Sequence, residues 1–308
     1  MIQRTLEKSI LNYCYKGKAI IILGCRQIGK TTLLANIFNN NDDILWLNGD
    51  ELDVQAIFNN ASADSLQAII GNKKIVIIDE AQRINDIGLR MKLITDNLKN
   101  VQLIATGSSS LELSNTVNEP LTGRKWEFKM YPLSFAEMVK HHGLLKEKRL
   151  LSHRLVYGYY PDVVNNEVNE RKTLNLLVDS YLYKDILTMG NIKKSDKLIS
   201  LLQALPYQVG SQVSYNELSQ IIGLDSKTIE TYIQLLEKSY VIFRLPSYKR
   251  NLRNELKTSK KIYFYDNGVR NALISNFSPL EIRNDIGALW ENFIISERLK
   301  HCEYNDCY

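Results

Sequence analysis

The 308-residue chain has little of what marks secreted, membrane-spanning or metal-centred proteins. It holds only four cysteines, Cys14, Cys25, Cys302 and Cys307, and four histidines, with no metal-ligand spacing among them. A disulfide scaffold or zinc module is thereby excluded, and the thiols read as reduced in a cytoplasmic protein. No apolar run approaches the ~20 residues of a membrane helix, so no membrane partner is expected. The opening stretch, MIQRTLEKSI, is polar and helical in pattern and is not a signal peptide. Glycine and proline are sparse, with no low-complexity tract and no internal repeat. At this length two or three domains are expected.

The net charge is only +5, but it is unevenly placed. Residues 244–261, RLPSYKRNLRNELKTSKK, hold seven Lys/Arg against one Glu, and the rest of the chain is close to balanced. A charge run of this kind is either a solvated face or a contact for a polyanion.

The first half alternates apolar runs with helical patterns. AIIIL (19–23) is a buried parallel strand by its unbroken hydrophobicity, and it ends at a glycine. Gly24 to Thr31, GCRQIGKT, fits G-x-x-x-x-G-K-[ST], and an amphipathic helix follows. Glycines let backbone N–H groups curl around phosphate, and the helix N-terminus adds a positive dipole. The ATP-binding set is Gly24, Cys25, Arg26, Gln27, Ile28, Gly29, Lys30, Thr31 and Thr32. Lys30 would reach the β- and γ-phosphates, and Thr31 would ligate Mg2+. ILWL (44–47) and KIVIID (74–79) fit further parallel strands, the second ending in Asp79-Glu80. A carboxylate there can hold the magnesium shell, and its neighbour can polarise the attacking water. Asp79 takes the metal role and Glu80 the base role, while Gln82 receives no role.

VQLIATGSSS (101–110) is another strand that ends in small polar residues. Thr106 or Ser108 either touches the γ-phosphate or its water, or merely caps the next helix. LTGRKWEFKMYPLSFAE (121–137) gives a loop, a fifth strand and a capping box from Ser134 to Glu137. Arg124 in that loop would stabilise transition-state charge, in its own subunit or across an interface, or would be a surface ion-pair partner.

In this order, GCRQIGKTTL, IVIIDEAQ, ATGSSSLEL, LTGR and YPLSFAE resemble a bacterial and archaeal AAA+-superfamily ATPase family, distantly related to the STAND signalling ATPases. The resemblance implies a parallel five-stranded sheet in order 5-1-4-3-2 and a γ-phosphate sensor in TGSSS. Members usually carry proline where this chain has Cys25, a position that offers phosphate only backbone. The resemblance continues into VYGYYPDVV (156–164) and YLYKDIL (181–187), which otherwise read as aromatic core packing.

SYNELSQIIGLDSKTIETYIQLLEKSYVIFRL (214–245) reads as two helices around a GLD turn, the first opened by a Ser214–Glu217 capping box. Strand-like YVIFRL, the basic stretch and KIYFYD (261–266) follow, the layout of a winged helix. In a DNA reader, Lys227 and Thr228 of the second helix, with Lys249, Arg250, Arg253, Lys257 and Lys260 on or near the wing, would meet DNA, chiefly its phosphates. Winged helices also bind proteins, so a protein partner or self-association is the other expectation. The final segment carries one helix with Ile286, Leu289, Trp290 and Phe293 on an apolar face expected to be exposed. Relatives of this type commonly continue into a restriction-endonuclease-like domain, and Glu291 matches its first acidic position. The later acids are missing, so no nuclease activity is expected.

The expected architecture is α/β: an AAA+-like P-loop NTPase core (1–140), a helical segment (141–205), a winged helix (206–270) and an incomplete nuclease-like start (271–308). The expected function is a Mg-ATP-hydrolysing switch that acts on DNA or a protein. A binding module with little turnover is the alternative. A helicase is disfavoured, because it needs a second motor domain where the winged helix stands.

Overall fold

The computed structural model describes all residues except 39–41, 60, 109–119, 180–185, 187–193, 247–259, 306 and 308. Two compact units divide the chain, Gln3–Met130 and Tyr131–Tyr308, the second also holding Met1–Ile2. The capping-box helix Phe135–His142 belongs to the second.

The first unit runs α1 (Leu6–Tyr13), β1 (Ala19–Leu23), α2 (Lys30–Ile37), β2 (Ile44–Asn48), α3 (Leu52–Phe58), α4 (Ala63–Ile70), β3 (Ile75–Asp79), α5 (Ile87–Asn97), β4 (Gln102–Gly107) and β5 (Lys125–Lys129). The five strands form one sheet in the order β2-β3-β4-β1-β5, every pair parallel, as the resemblance implied. Sequence dictates the order of burial. AIIIL and IVIID are buried at every position and lie inside the sheet, whereas ILWLN and KWEFK are mostly half-buried and form its edges. Ile104 of β4 is paired with both Ile20 of β1 and Ile77 of β3, so a β-branched row crosses the sheet centre. Tyr13 of α1 covers the β5 edge through Trp126 and Phe128.

Parallel register brings the C-terminal ends of β1, β3 and β4 together. Leu23 pairs with Gly107, and Asn48 pairs with Asp79. In open parallel sheets ligands bind in the crevice at such strand ends.

The second unit is largely helical. Ser134 and Glu137 close the anticipated capping box reciprocally, at 3.1 and 2.9 Å. Tyr159 of VYGYYPDVV is buried in a cluster with Leu133, Met138 and Val164, a packing role. Helices Tyr215–Ile222 and Ser226–Lys238 flank the GLD turn, and β6 (Ile242–Leu245) pairs antiparallel with β7 (Lys261–Phe264).

The terminal helix Ile286–Asn305 does not leave its apolar face free. Leu289 is fully buried, and Phe293 stacks on Tyr159 at 6.0 Å. The Asn292 amide bridges the backbone of Phe264, accepting from its N–H at 2.7 Å and donating to its carbonyl at 3.1 Å. Of its large apolar residues only Trp290 and Ile294 keep substantial exposure, so the expectation of an uncovered face is corrected. Glu291 is held by the Tyr263 hydroxyl at 2.7 Å and Lys261 at 3.1 Å.

Candidate active site

The phosphate loop leaves β1 and turns into α2. Gly24 is a steric necessity, because a Cβ there would lie 2.3 Å from the Met130 carbonyl oxygen. Gly29 caps α2 at φ 87°, in the left-handed region, and directs the helix N-terminus into the crevice. Cys25 and Ile28 are buried, while Gln27 is exposed.

Lys30 is 5% exposed, and its ammonium donates to the carbonyls of Gly24 and Cys25, each at 2.8 Å. Burial pushes Lys30 below the ordinary lysine range, opposed by Glu80, Cys25 and Asp79. The lysine thus rests on its own loop, with its charge already positioned at the strand ends. Arg4 reaches from the N-terminal segment to donate to the Ile28 carbonyl at 3.0 Å. Sequence reasoning missed Arg4, since a lone arginine in a polar stretch carries no spacing signal.

Asp79 ends β3 and gathers the neighbouring strands. Its Oδ2 accepts from the Thr31 hydroxyl at 2.6 Å, and its Oδ1 accepts from the Thr106 hydroxyl. Thr106 in turn accepts from the Glu80 amide at 3.1 Å. Thr106 is fully buried, so it braces the two acids and caps no described helix. Glu80 sits at φ 47°, opening a 3-10 turn over Ala81–Arg83. That turn folds Gln82 back, and its amide donates to Glu80 Oε2 at 2.6 Å and to the Ser108 hydroxyl at 2.9 Å. Gln82 is the second residue that sequence reasoning left without a task.

Thr31 and Asp79 converge as an oxygen donor set, which suits a hard cation that keeps several waters and binds substrate phosphate. Among the described residues no cluster of three or more His, Cys, Asp or Glu could hold a metal, so Mg2+ would rest on these two side chains plus substrate and water.

Arg124 is not brought to this site. It precedes β5 and its backbone carbonyl bonds Ala19, the first residue of β1, at the sheet edge opposite the phosphate loop. A strand of this length puts about 15 Å between them. Its guanidinium donates to Asp96 at 2.7 Å. The expectation of a charge stabiliser within its own subunit is therefore corrected.

Of the expected DNA-facing residues, Lys249, Arg250, Arg253 and Lys257 lie outside the described residues. Lys227 is exposed, and Lys260 is half-buried. Thr228 donates its hydroxyl and its amide to Asp225, at 2.6 and 2.9 Å, and Asp225 thereby caps the helix. Arg244 is tied to Glu237 and to the Tyr215 hydroxyl, and Lys261 to Glu291.

Residues 16–139 match the family described as AAA domain, and residues 148–280 match a domain of unknown function, DUF8612. An uncharacterized protein of Haemophilus influenzae is 28% identical over 81% of this chain and 68% of its own length. An uncharacterized protein of Methanocaldococcus jannaschii, MJ1544, is 23% identical over 96% of this chain and 69% of its own. The chain thus spans about two thirds of these relatives. Among solved structures, the Walker-type ATPase PABY2304 of Pyrococcus abyssi superposes with a TM-score of 0.61 at 15% identity, covering 89% of this chain and 96% of that one. At that identity the likeness speaks for the fold alone.

Proposed function

We propose that this chain, whose residues 16–139 match the family described as AAA domain, binds and hydrolyses Mg-ATP as a switch, and that its second unit passes the nucleotide state to DNA or a protein. The observation that carries this reading is the continuous set of hydrogen bonds Thr31–Asp79–Thr106–Glu80–Gln82–Ser108 beside the phosphate loop.

Each residue has a task in this reading. Lys30 releases the Gly24 and Cys25 carbonyls and turns its ammonium to the β- and γ-phosphates, so binding exchanges two carbonyl bonds for an ion pair. The backbone of Gly24–Thr32, with the α2 N-terminus, cradles the phosphates. Thr31 and Asp79 would hold Mg2+, which neutralises phosphate charge when bound. Glu80 accepts a proton from, or orients, the attacking water, and Ser108 senses the γ-phosphate. Loss of nucleotide binding in Lys30→Ala and loss of turnover in Glu80→Gln test the reading. An unchanged value in either would sink it.

The helix-turn-helix pair and the β6–β7 ribbon serve as a winged helix in this proposal. The exposed face of Ser226–Lys238 offers Lys227, Glu230, Thr231 and Gln234, a charge-mixed set. Such a face favours a protein partner, or DNA held by its backbone, over base reading. With Arg244 and Lys261 paired, phosphate contact would fall to Lys249, Arg250, Arg253, Lys257 and Lys260. The salt dependence of DNA affinity measures it.

A further inference from the structure

We infer that Gln82 is the positioning residue that ties the γ-phosphate sensor to the catalytic base, holding the Glu80 carboxylate in register with the Ser108 hydroxyl. This rests on the ATPase reading above, in which Glu80 is the base and Ser108 the sensor.

Three observations lead there. First, the Gln82 amide uses both N–H donors at once, on Glu80 Oε2 at 2.6 Å and on Ser108 Oγ at 2.9 Å. A carboxylate only accepts, so the N–H2 end must face Glu80. Second, the other end of the same amide is unsatisfied. Gln82 Oε1 is buried and has no hydrogen-bond partner. Buried acceptors are normally paired, because leaving one bare costs about 1–3 kcal/mol. The hydrogen bonds that orient the amide are therefore its two donor bonds, to Glu80 and Ser108. Third, Ser108 is fully buried and accepts from Gln82. Its hydroxyl hydrogen has no acceptor among the described residues, so it can turn to a phosphate oxygen without breaking the Gln82 bond.

The backbone supports the same arrangement. Glu80 in the left-handed region starts the tight turn that brings a side chain two positions later back onto its own carboxylate. Thr106 fixes the Glu80 amide, which leaves the carboxylate to be set by Gln82. The resulting relay runs from phosphate to Ser108 hydroxyl to Gln82 amide to Glu80 carboxylate. A mis-aimed base loses rate rather than affinity, because the water it orients reacts only in the transition state.

The test uses the full chain and measures steady-state ATPase activity together with nucleotide affinity for Gln82→Met, Ser108→Ala, the double variant and Glu80→Gln. Met keeps the length of the side chain, removes both N–H donors and also removes the bare acceptor, so stability should hold. For Gln82→Met a fall in kcat of about 10- to 100-fold is expected, with KM and affinity within about twofold. Ser108→Ala should lower kcat as well, and the double variant should be no slower than Gln82→Met, since both break one relay. Gln82→Asn retains the amide but is one methylene too short for both partners and should not rescue. Unchanged kcat in Gln82→Met, or factors that multiply in the double variant, overturns the inference. If Gln82→Met fails to fold, Gln82→Asn carries the same cycle with Ser108→Ala. The Glu80→Gln arm separates the two levels: activity equal to wild type refutes the ATPase reading itself, while abolished activity beside a silent Gln82→Met refutes only the relay.

Discussion

Replacing Lys30 by Met removes one ammonium and little volume. The free protein already satisfies that ammonium with two carbonyl bonds of 2.8 Å, so ATP gains only the difference between phosphate and carbonyl. A unit charge pair at ~3 Å and an effective dielectric of ~20 is worth about 5.5 kcal/mol. Two hydrogen bonds to a charged donor, given up on binding, are worth about 1.5 kcal/mol each at the lower end. The net contribution is then about 2.5 kcal/mol, a roughly 30- to 150-fold loss of ATP affinity. Apo stability should change little, because relief from burying a cation offsets the two bonds lost. Titration with a fluorescent ATP analogue measures the affinity, and thermal unfolding without nucleotide checks the fold. An affinity within threefold of wild type, in a variant that melts normally, would refute the assignment of Lys30 to the phosphates.

Other outcomes follow from the same structure. Glu80→Gln should cut ATP turnover by about 10²- to 10⁴-fold while nucleotide binding persists, read by phosphate release and by titration on one sample. Hydrogen bonds from Arg283, reinforced by Arg270, hold the Asp285 carboxyl down at about 2. Its contribution is complete above the ordinary carboxylate range and is lost as pH falls towards 2, about 1–2 kcal/mol after allowance for its partial exposure. Urea midpoints between pH 5 and 2 should fall more steeply in wild type than in Asp285→Asn, and equal slopes would contradict this. If the five basic residues assigned to the wing meet DNA, log affinity should fall with log salt at a slope of about −4 to −5, and a slope near zero excludes those contacts.

The legible parts of this molecule are those whose cause is local in sequence. AIIIL and IVIID announce buried strands because every residue is apolar, and the structure buries each one. GCRQIGKT works because its glycines answer to geometry within eight residues. Asp79 and Glu80 were legible as a strand end, and Asp79 does meet Thr31. What was not legible depends on partners far along the chain. Thr106 read as a sensor or a cap, yet it braces Asp79 and the Glu80 amide from a neighbouring strand. The face of the terminal helix read as exposed because nothing near it in sequence shows that Asn292 would bridge Phe264.

Arg124 separates these two kinds of information. LTGR follows the sensor strand, and its place in the order of motifs invited a catalytic role. Parallel topology argues otherwise. All five strands point one way, so residues just before a strand gather at one edge and residues just after a strand gather at the other. Asp79 ends a strand, and Lys30, Glu80 and Ser108 follow one, whereas Arg124 precedes β5 and pairs with Asp96. Once five parallel strands are assigned, this rule sorts each candidate before any coordinates exist. It admits Gln82, which follows β3 directly, and excludes Arg124 from the phosphate end of its own sheet. An arginine acting on ATP here must therefore come from elsewhere in the chain or from a neighbouring subunit.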